Sequence, residues 1–186
     1  MTNQKLPAGI SGEGIEVFRD NENHVFYLQN GTKLPYLMMP KEYRGKFQSE
    51  LAADQTALAI LKSVFGPTSA DDCEEIFVGC RYGNLDYMSD LINGALTHDS
   101  PRCSKTESCK GFNIICRIPI PKNGALTKAE YRIVTLIAKG KQTKEISVML
   151  NIVDATTRTH TQRIHAKLGV NNNIEVAAWA HEHRII

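Results

Sequence analysis

The last third of the chain contains a close series of short helix-forming segments, and this series constrains the fold more than any other feature. Thr127 and Glu130 have the spacing of a capping box, in which each side chain bonds a free backbone N–H at the start of a helix. Ile133, Val134 and Ile137 follow at helical spacing and form one apolar stripe. The pattern predicts a short amphipathic helix.

Three more short helices are predicted after Gly140, a residue suited to a left-handed helix end. Thr143 is placed to cap the second helix, which ends at the turn 151–153. Asp154 is placed to cap the third, where its charge also favours the positive end of the helix dipole. The fourth extends from Ile174 to about His183. Four short helices with tight turns predict an all-α helix-turn-helix domain.

The third helix has two faces of different chemistry. Successive residues of a helix are rotated by about 100° about its axis. One inner face is therefore shared by Thr157, Thr161, Ile164 and Leu168. The opposite face carries small residues, an amide and two guanidiniums, namely Ala155, Arg158, Thr159, Gln162, Arg163 and Ala166. Small residues let a helix approach base edges in the major groove, where Arg suits guanine, Gln suits adenine and a Thr methyl suits thymine. An ordinary solvated helix face is the alternative interpretation.

A series of residues at characteristic spacings extends through the whole segment. They are Leu126-Thr127-x-x-Glu130, Leu136-Ile137-Ala138-x-Gly140, Lys144-Glu145-Ile146, Leu150, Ile152, Thr156, His160, Ile164, Lys167-Leu168-Gly169-Val170, Asn172 and Glu175. In this pattern the chain resembles the LuxR-type (GerE-like) helix-turn-helix of bacterial transcription regulators over about residues 124–184. The resemblance implies a sequence-specific transcription regulator that binds double-stranded DNA as a homodimer and acts with RNA polymerase, not an enzyme.

The resemblance also implies roles for individual residues. The base-reading positions hold Arg158, Thr159 and Gln162. The phosphate-contacting positions hold Thr143, Lys144, Thr156, Arg163 and Lys167. The fourth helix corresponds to the dimerisation helix of the family, with Ile174, Ala177, Ala178 and Trp179.

Four positions depart from the family pattern. Ala129 and Asn173 stand where Arg is usual, Val153 replaces Ser, and Thr157 replaces Val. Ala129 removes an expected internal salt bridge. Thr157 puts a hydroxyl in a core position, where it needs a hydrogen-bond partner. These departures bear on the DNA sequence that is read more than on the fold.

Charge and hydropathy limit the class of protein. Residues 126–186 carry 9 Lys and Arg against 5 Asp and Glu, whereas residues 1–125 carry 13 against 15. A basic end on a near-neutral body fits a domain that contacts the phosphate backbone. No apolar run approaches the ~18 residues of a membrane span, and the first residues lack a signal-peptide core. We therefore expect a cytoplasmic protein whose five cysteines form no structural disulfides.

The front of the chain predicts a small α+β domain. Asn30-Gly31 is a strong hairpin signal, and it should join a strand at 24–29 to one at 32–39. Pro35 places the latter at a sheet edge. A further strand is predicted at 15–18. Residues 48–65 predict one core-packing helix, ended by Gly66-Pro67, and the acidic run 71–75 predicts a solvated loop.

A loop-rich segment with four cysteines follows. Cys80, Cys103, Cys109 and Cys116 are candidate ligands for zinc or an iron–sulfur cluster, with His98 as a substitute ligand or a surface loop residue. Their spacing is wider than in zinc knuckles, so buried or free thiols are the alternative. Residues 114–118 read as a buried strand.

The domain boundary is predicted at the Pro- and Gly-containing linker 119–124. It separates a mixed α+β sensory or interaction domain (1–118) from the helix-turn-helix domain (125–186). The front lacks the repeated strand–helix alternation of a receiver domain, and no nucleophile–base arrangement is evident. The alternative function is a protein-interaction or metal/redox-sensing module with only weak, non-specific DNA binding.

Overall fold

The chain divides into two compact units in a computed structural model that describes residues 6–10, 14–66, 69–103 and 105–186. The first unit comprises Met1–Pro101 and Lys110–Arg117, and the second comprises Arg102–Cys109 and Ile118–Ile186. Within the described ranges, every helix is too short or too polar to cross a membrane.

The first unit contains a three-stranded antiparallel sheet in the order β1-β2-β3. The strands are β1 (Glu16–Arg19), β2 (Val25–Gln29) and β3 (Thr32–Pro35). The turn between β2 and β3 has positive φ at both Asn30 (49°) and Gly31 (75°), a conformation that Asn-Gly adopts with little strain. The predicted hairpin and the edge position of Pro35 are therefore confirmed. A 3₁₀ turn at Tyr36–Met38 replaces the rest of the predicted third strand.

Three helices share a hydrophobic core with this sheet: α1 (Lys41–Ala53), α2 (Gln55–Phe65) and α3 (Ala70–Arg81). The single helix predicted over 48–65 is wrong, because Asp54 interrupts it and accepts a hydrogen bond from the Ala57 N–H as the cap of α2. Gly66 ends α2 with φ 81°, while Pro67 lies outside the described residues.

The predicted acidic loop at 71–75 is also wrong. These residues form the first turns of α3, which begins with a capping box between Ser69 and Asp72. Carboxylates stabilise the positive end of a helix dipole, so this acidic run favours a helix start. The spacing of Ser69 and Asp72 was a local signal for that start.

The remaining part of the first unit is held by a small hairpin and buried turns. Strands β4 (Leu91–Ile92) and β5 (Ala95–Leu96) pair with each other, and the backbone of Leu91 bonds that of Ile15. Ile115 and Cys116 are buried, as predicted, but residues 114–118 make no regular strand. The N–H groups of Ile114 and Ile115 both bond the Gly111 carbonyl, so the segment forms turns.

A buried ionic network crosses the core of the first unit. The Arg81 guanidinium is fully buried and lies 2.7 Å from Glu50 and 2.9 Å from Asp54, and its Nε donates to the Ile115 carbonyl at 2.8 Å. His98 joins the network through Nε2, 2.7 Å from Glu50, so it is not the plain surface residue expected. Burial opposes ionisation of Glu50, but hydrogen bonds from His98, Tyr82 and Arg81 outweigh it and lower the pKa to about 2.

The second unit contains the four predicted helices, which are α4 (Lys128–Ala138), α5 (Thr143–Leu150), α6 (Asp154–Leu168) and α7 (Asn173–Glu182). Apolar side chains from all four fill its core. They are Tyr131, Ile133, Val134, Ile137, Ile146, Ile164, Leu168, Val176 and Ala180, joined by Leu126 and Ile185. The α+β front and all-α end predicted from the sequence are both present.

The helix ends agree with the sequence in part. Thr127 and Glu130 form the predicted capping box, and Gly140 has φ 75°. Thr143 and Asp154, however, are the first helical residues of α5 and α6 rather than their caps. At α5 the cap is Gln142, whose N–H donates to the Glu145 carboxylate at 2.8 Å. Each helix therefore includes the residue that the sequence placed just outside it.

Residues Arg102–Cys109 belong to the second unit, although the sequence assigned them to the front domain. The Arg132 guanidinium lies 2.8 Å from the Glu107 carboxylate. The Lys128 ammonium donates to the carbonyls of Glu107 and Cys109 at 3.1 and 3.0 Å. These contacts attach the segment to the first turns of α4 and could not be inferred from local sequence.

Candidate nucleic-acid interface

The inner face of α6 is fixed by burial and by one side-chain hydrogen bond. Ile164 and Leu168 are buried, and Thr157 is fully inaccessible to solvent. The Thr157 and Ser147 hydroxyls lie 2.8 Å apart, and the Ser147 hydroxyl also donates to the Thr143 carbonyl at 2.8 Å. This is the partner that the buried threonine was expected to need. It joins α6 to α5 at a defined rotation about the helix axis.

The opposite face of α6 is open to solvent. Arg158, Thr159, Gln162 and Arg163 are all exposed, together with the small residues Ala155 and Ala166. The Thr159 hydroxyl donates to the Ala155 carbonyl at 3.0 Å, so its hydrogen bond is made within the helix. Its methyl group is then the part suited to an apolar contact. This face presents the base-reading candidates on one side of a rigidly seated helix.

The phosphate-contacting candidates fall into two groups. Lys144 and Arg163 are exposed, while Thr143 and Thr156 are half-buried in the first turns of α5 and α6, where backbone N–H groups favour anions. Lys167 differs because its ammonium lies 2.6 Å from the Glu130 carboxylate and donates to the Ala125 carbonyl at 2.9 Å. Its charge is therefore compensated inside the domain.

The Lys167–Glu130 ion pair also acts on the start of α4. Burial opposes ionisation of Glu130, but hydrogen bonds from Lys167 and Thr127 outweigh it and lower its pKa. The carboxylate thus remains charged while it closes the capping box and contacts α6. An internal salt bridge that the sequence did not predict is present here, although Ala129 lacks the charge for the expected one.

The dimerisation candidates lie on α7. Val176 and Ala180 are buried in the domain, whereas Ile174 is 82% exposed and Ala178 is also exposed. Ala177 and Trp179 are half-buried. The helix therefore keeps an apolar residue at its outer surface that the domain itself does not bury.

The structure does not assemble the four candidate metal ligands into one site. Cys80 and Cys116 belong to the first unit, and Cys103 and Cys109 belong to the second. Among the described residues, no group of three or more His, Cys, Asp or Glu side chains is arranged to hold a metal ion. Cys116 is buried and the other three are half-buried. Zinc or iron–sulfur binding stays a prediction that this arrangement does not support.

Two residues that fix the position of α6 could not be identified as such from the sequence pattern described above. Ser147 holds Thr157, and Asn123 bonds the last turn of α6 with its side-chain amide donating to the Ala166 carbonyl at 3.0 Å. Ser147 lies next to Ile146 on the buried face of α5, where helical periodicity could have identified it as an inward-facing residue. Asn123 carries no such signal, because it lies 43 residues from its partner.

Comparison with known protein families addresses this helical unit. Residues 124–180 match the bacterial regulatory proteins of the luxR family. These residues form a LuxR-family domain. The resemblance inferred from the spacing of individual residues is thereby confirmed, and the LuxR-family domain coincides with α4 to α7 and the loop that precedes them.

Two relatives extend the comparison. The chain is 30% identical over 129 residues to the transcriptional regulatory protein LiaR of Bacillus subtilis (strain 168). The matched region covers 64% of this chain and 61% of LiaR. It is 35% identical over 60 residues to the nitrate/nitrite response regulator protein NarL of Escherichia coli (strain K12). This matched region covers 32% of this chain and 28% of NarL. The chain thus spans less than two thirds of the length of either relative.

Proposed function

We propose that this protein is a sequence-specific DNA-binding transcription regulator, with α6 lying in the major groove. The observation that carries the proposal is the exposed face of α6, where Arg158, Thr159 and Gln162 lie within a LuxR-family domain. The names of LiaR and NarL, a transcriptional regulatory protein and a response regulator, support the same function.

The chemistry of this face suits direct reading of bases. A guanidinium such as that of Arg158 can donate two hydrogen bonds to guanine O6 and N7. The Gln162 amide can bond adenine N6 and N7, and the Thr159 methyl can contact the thymine methyl. Because the Ser147–Thr157 hydrogen bond and the buried apolar residues fix the rotation of α6, these groups are presented together.

Phosphate contacts would set the register of the domain on DNA. Lys144 in the first turn of α5 and Arg163 on α6 are exposed charges, and Thr143 and Thr156 lie in the first turns of α5 and α6. Contacts of this kind hold the protein in position without reading sequence. Lys167 can join them only by sharing an ammonium that already bonds Glu130.

The active form is proposed to be a homodimer on a two-fold symmetric site. Ile174 at the surface of α7, with Ala177 and Ala178, supplies an apolar contact for a second copy. Each α6 would then enter a major groove, with half-sites about 10 bp apart. Bound in this way near a promoter, the dimer would affect transcription through RNA polymerase.

Selection from a pool of random duplexes tests the proposed function. The full chain should enrich a defined sequence and retain it when random DNA is present in excess. Specific sites are bound about 10³–10⁷ times more tightly than random DNA by typical regulators. Recovery of a pool with no preferred sequence would favour the alternative, a module with only non-specific DNA binding.

A further inference from the structure

The loop before α4 is attached to the C-terminal end of α6. The Asn123 backbone N–H donates to the Lys167 carbonyl at 3.0 Å, and its side-chain amide donates to the Ala166 carbonyl at 3.0 Å. The last carbonyls of a helix have no partner within the helix, so Asn123 supplies two of the missing donors. Gly169 follows with φ 72°, and a side chain there would approach the Asn123 amide within 3.3 Å.

This attachment brings a further cation to the end of α6. Lys122, adjacent to Asn123, is exposed. The lysine at the family's phosphate position, Lys167, is instead engaged with Glu130 and the Ala125 carbonyl. The exposed ammonium of Lys122 is therefore better suited to an external anion at this end of the helix than that of Lys167.

The dimensions of the helix and of DNA indicate what that anion is. Ala166 is eight positions after Arg158, and a helix rises 1.5 Å per residue, so the two are about 12 Å apart along the axis. The major groove is about 12 Å wide. With α6 inclined across the groove and Arg158 at the base edges, Ala166 lies near the groove edge, where the sugar–phosphate backbone runs. Asn123 then holds Lys122 beside that backbone.

We propose that Lys122 contacts a DNA phosphate at the edge of the major groove and that Asn123 positions it there. The inference rests on the proposed function, since it requires α6 to lie in the groove. It adds to the interface a residue that lies before the first helix of the domain. A contact of this kind contributes affinity and register but no sequence preference.

Salt-dependent binding of the full chain tests the proposal. For Lys122→Gln, affinity for the selected sequence and for random DNA should fall by the same factor. The slope of log affinity against log salt should decrease in magnitude by about 0.9, the value for one lost phosphate contact.

Lys105→Gln is the matched control, because it removes the same charge from an exposed position. Lys105 lies in the segment that is attached to the first turns of α4, and Arg102, three residues before it, donates to the Arg184 carbonyl beyond α7. Its salt slope should equal that of the wild type. A wild-type slope in Lys122→Gln, or equal slope changes in both variants, would overturn the proposal.

Asn123→Ala tests the positioning role separately, since it retains Lys122. Its salt slope should lie between those of the wild type and Lys122→Gln, and a wild-type slope would remove Asn123 from the proposal. Failure of the proposed function is distinguishable, because it would appear as a wild-type protein without a preferred sequence. The slope difference between Lys122→Gln and Lys105→Gln on random DNA would still report the phosphate contact.

Discussion

Arg81 in the first unit and the arginines of α6 in the second are used in different ways. In the first, the Arg81 guanidinium is fully buried against Glu50 and Asp54. In the second, Arg158 and Arg163 are exposed on one face of α6, above an apolar core. A buried charge with several short partners is committed to the fold, whereas an exposed one is available to an external ligand. The same residue type should therefore affect stability in one unit and binding in the other.

Arg81→Ala should give the largest effect on stability. It leaves Glu50 and Asp54 partly buried without their main cation, and breaking a buried ion pair costs about 3–5 kcal/mol. Urea unfolding followed by circular dichroism measures the change. Arg158→Ala is the matched control and should change stability by less than about 0.5 kcal/mol. Equal losses in the two variants would break the distinction between the units.

The pH dependence of the first unit should follow Glu50. Its pKa in the folded protein is about 2, below the ordinary value of 4.5. The resulting stabilisation is complete above about pH 4.5 and should be lost as pH falls towards 2, by about 3 kcal/mol for a shift of this size. The free energy of unfolding, measured between pH 2 and 6, reports this loss. In Glu50→Gln the part of the pH dependence that is due to Glu50 should be absent. An identical acid profile in the variant would contradict the role of Glu50.

The contribution of Asp90 to stability should change with pH in the opposite direction. It is almost completely buried, and burial together with the nearby carboxylates of Asp99 and Glu16 raises its pKa. The folded state therefore holds this proton more tightly than the unfolded chain, so its contribution to stability falls as pH rises above 3.8. Asp90→Asn can keep an acceptor for the Val17 N–H, 2.7 Å away, without the charge.

Asp90→Asn should thus stabilise the protein at pH 7, with little effect near pH 3. Thermal unfolding at both pH values measures the difference. A variant less stable than the wild type at pH 7 would show that the ionised carboxylate is required by the fold.

The smallest effect is expected at the joint between α5 and α6. Thr157→Val removes one partner of the buried 2.8 Å contact with Ser147. It should lower the free energy of unfolding by about 1 kcal/mol. The Ser147 hydroxyl keeps its bond to the Thr143 carbonyl, which limits the loss. Adding Ser147→Ala removes both hydroxyls and should recover part of that loss. A double variant whose loss equals the sum of the two single losses would show that the hydroxyls do not interact.

Local signals explain what the sequence predicted well. The Thr127–Glu130 capping box, the Asn30-Gly31 turn and the two faces of α6 all depend on residues within one or two turns of each other. Such features are set by backbone geometry and periodicity, so they can be identified without knowing the rest of the fold.

Contacts between distant residues explain most of what was missed. Arg81 pairs with residues 27 and 31 positions away, and Asn123 with a residue 43 positions away. The engagement of Lys167 by Glu130 likewise depends on how α4 and α6 pack. The candidate base-reading face could therefore be predicted, but which of its neighbouring lysines has an available charge could not.

The most direct test compares binding of the selected DNA sequence with binding of random duplex at one salt concentration. It is made with the wild type, Arg158→Ala and Gln162→Ala, with Lys105→Gln as the control for an exposed side chain. Each interface variant should lose about 1–3 kcal/mol of discrimination at a defined base pair, while the control should retain it. Unchanged discrimination in both Arg158→Ala and Gln162→Ala would contradict the assignment of α6 as the helix that reads DNA.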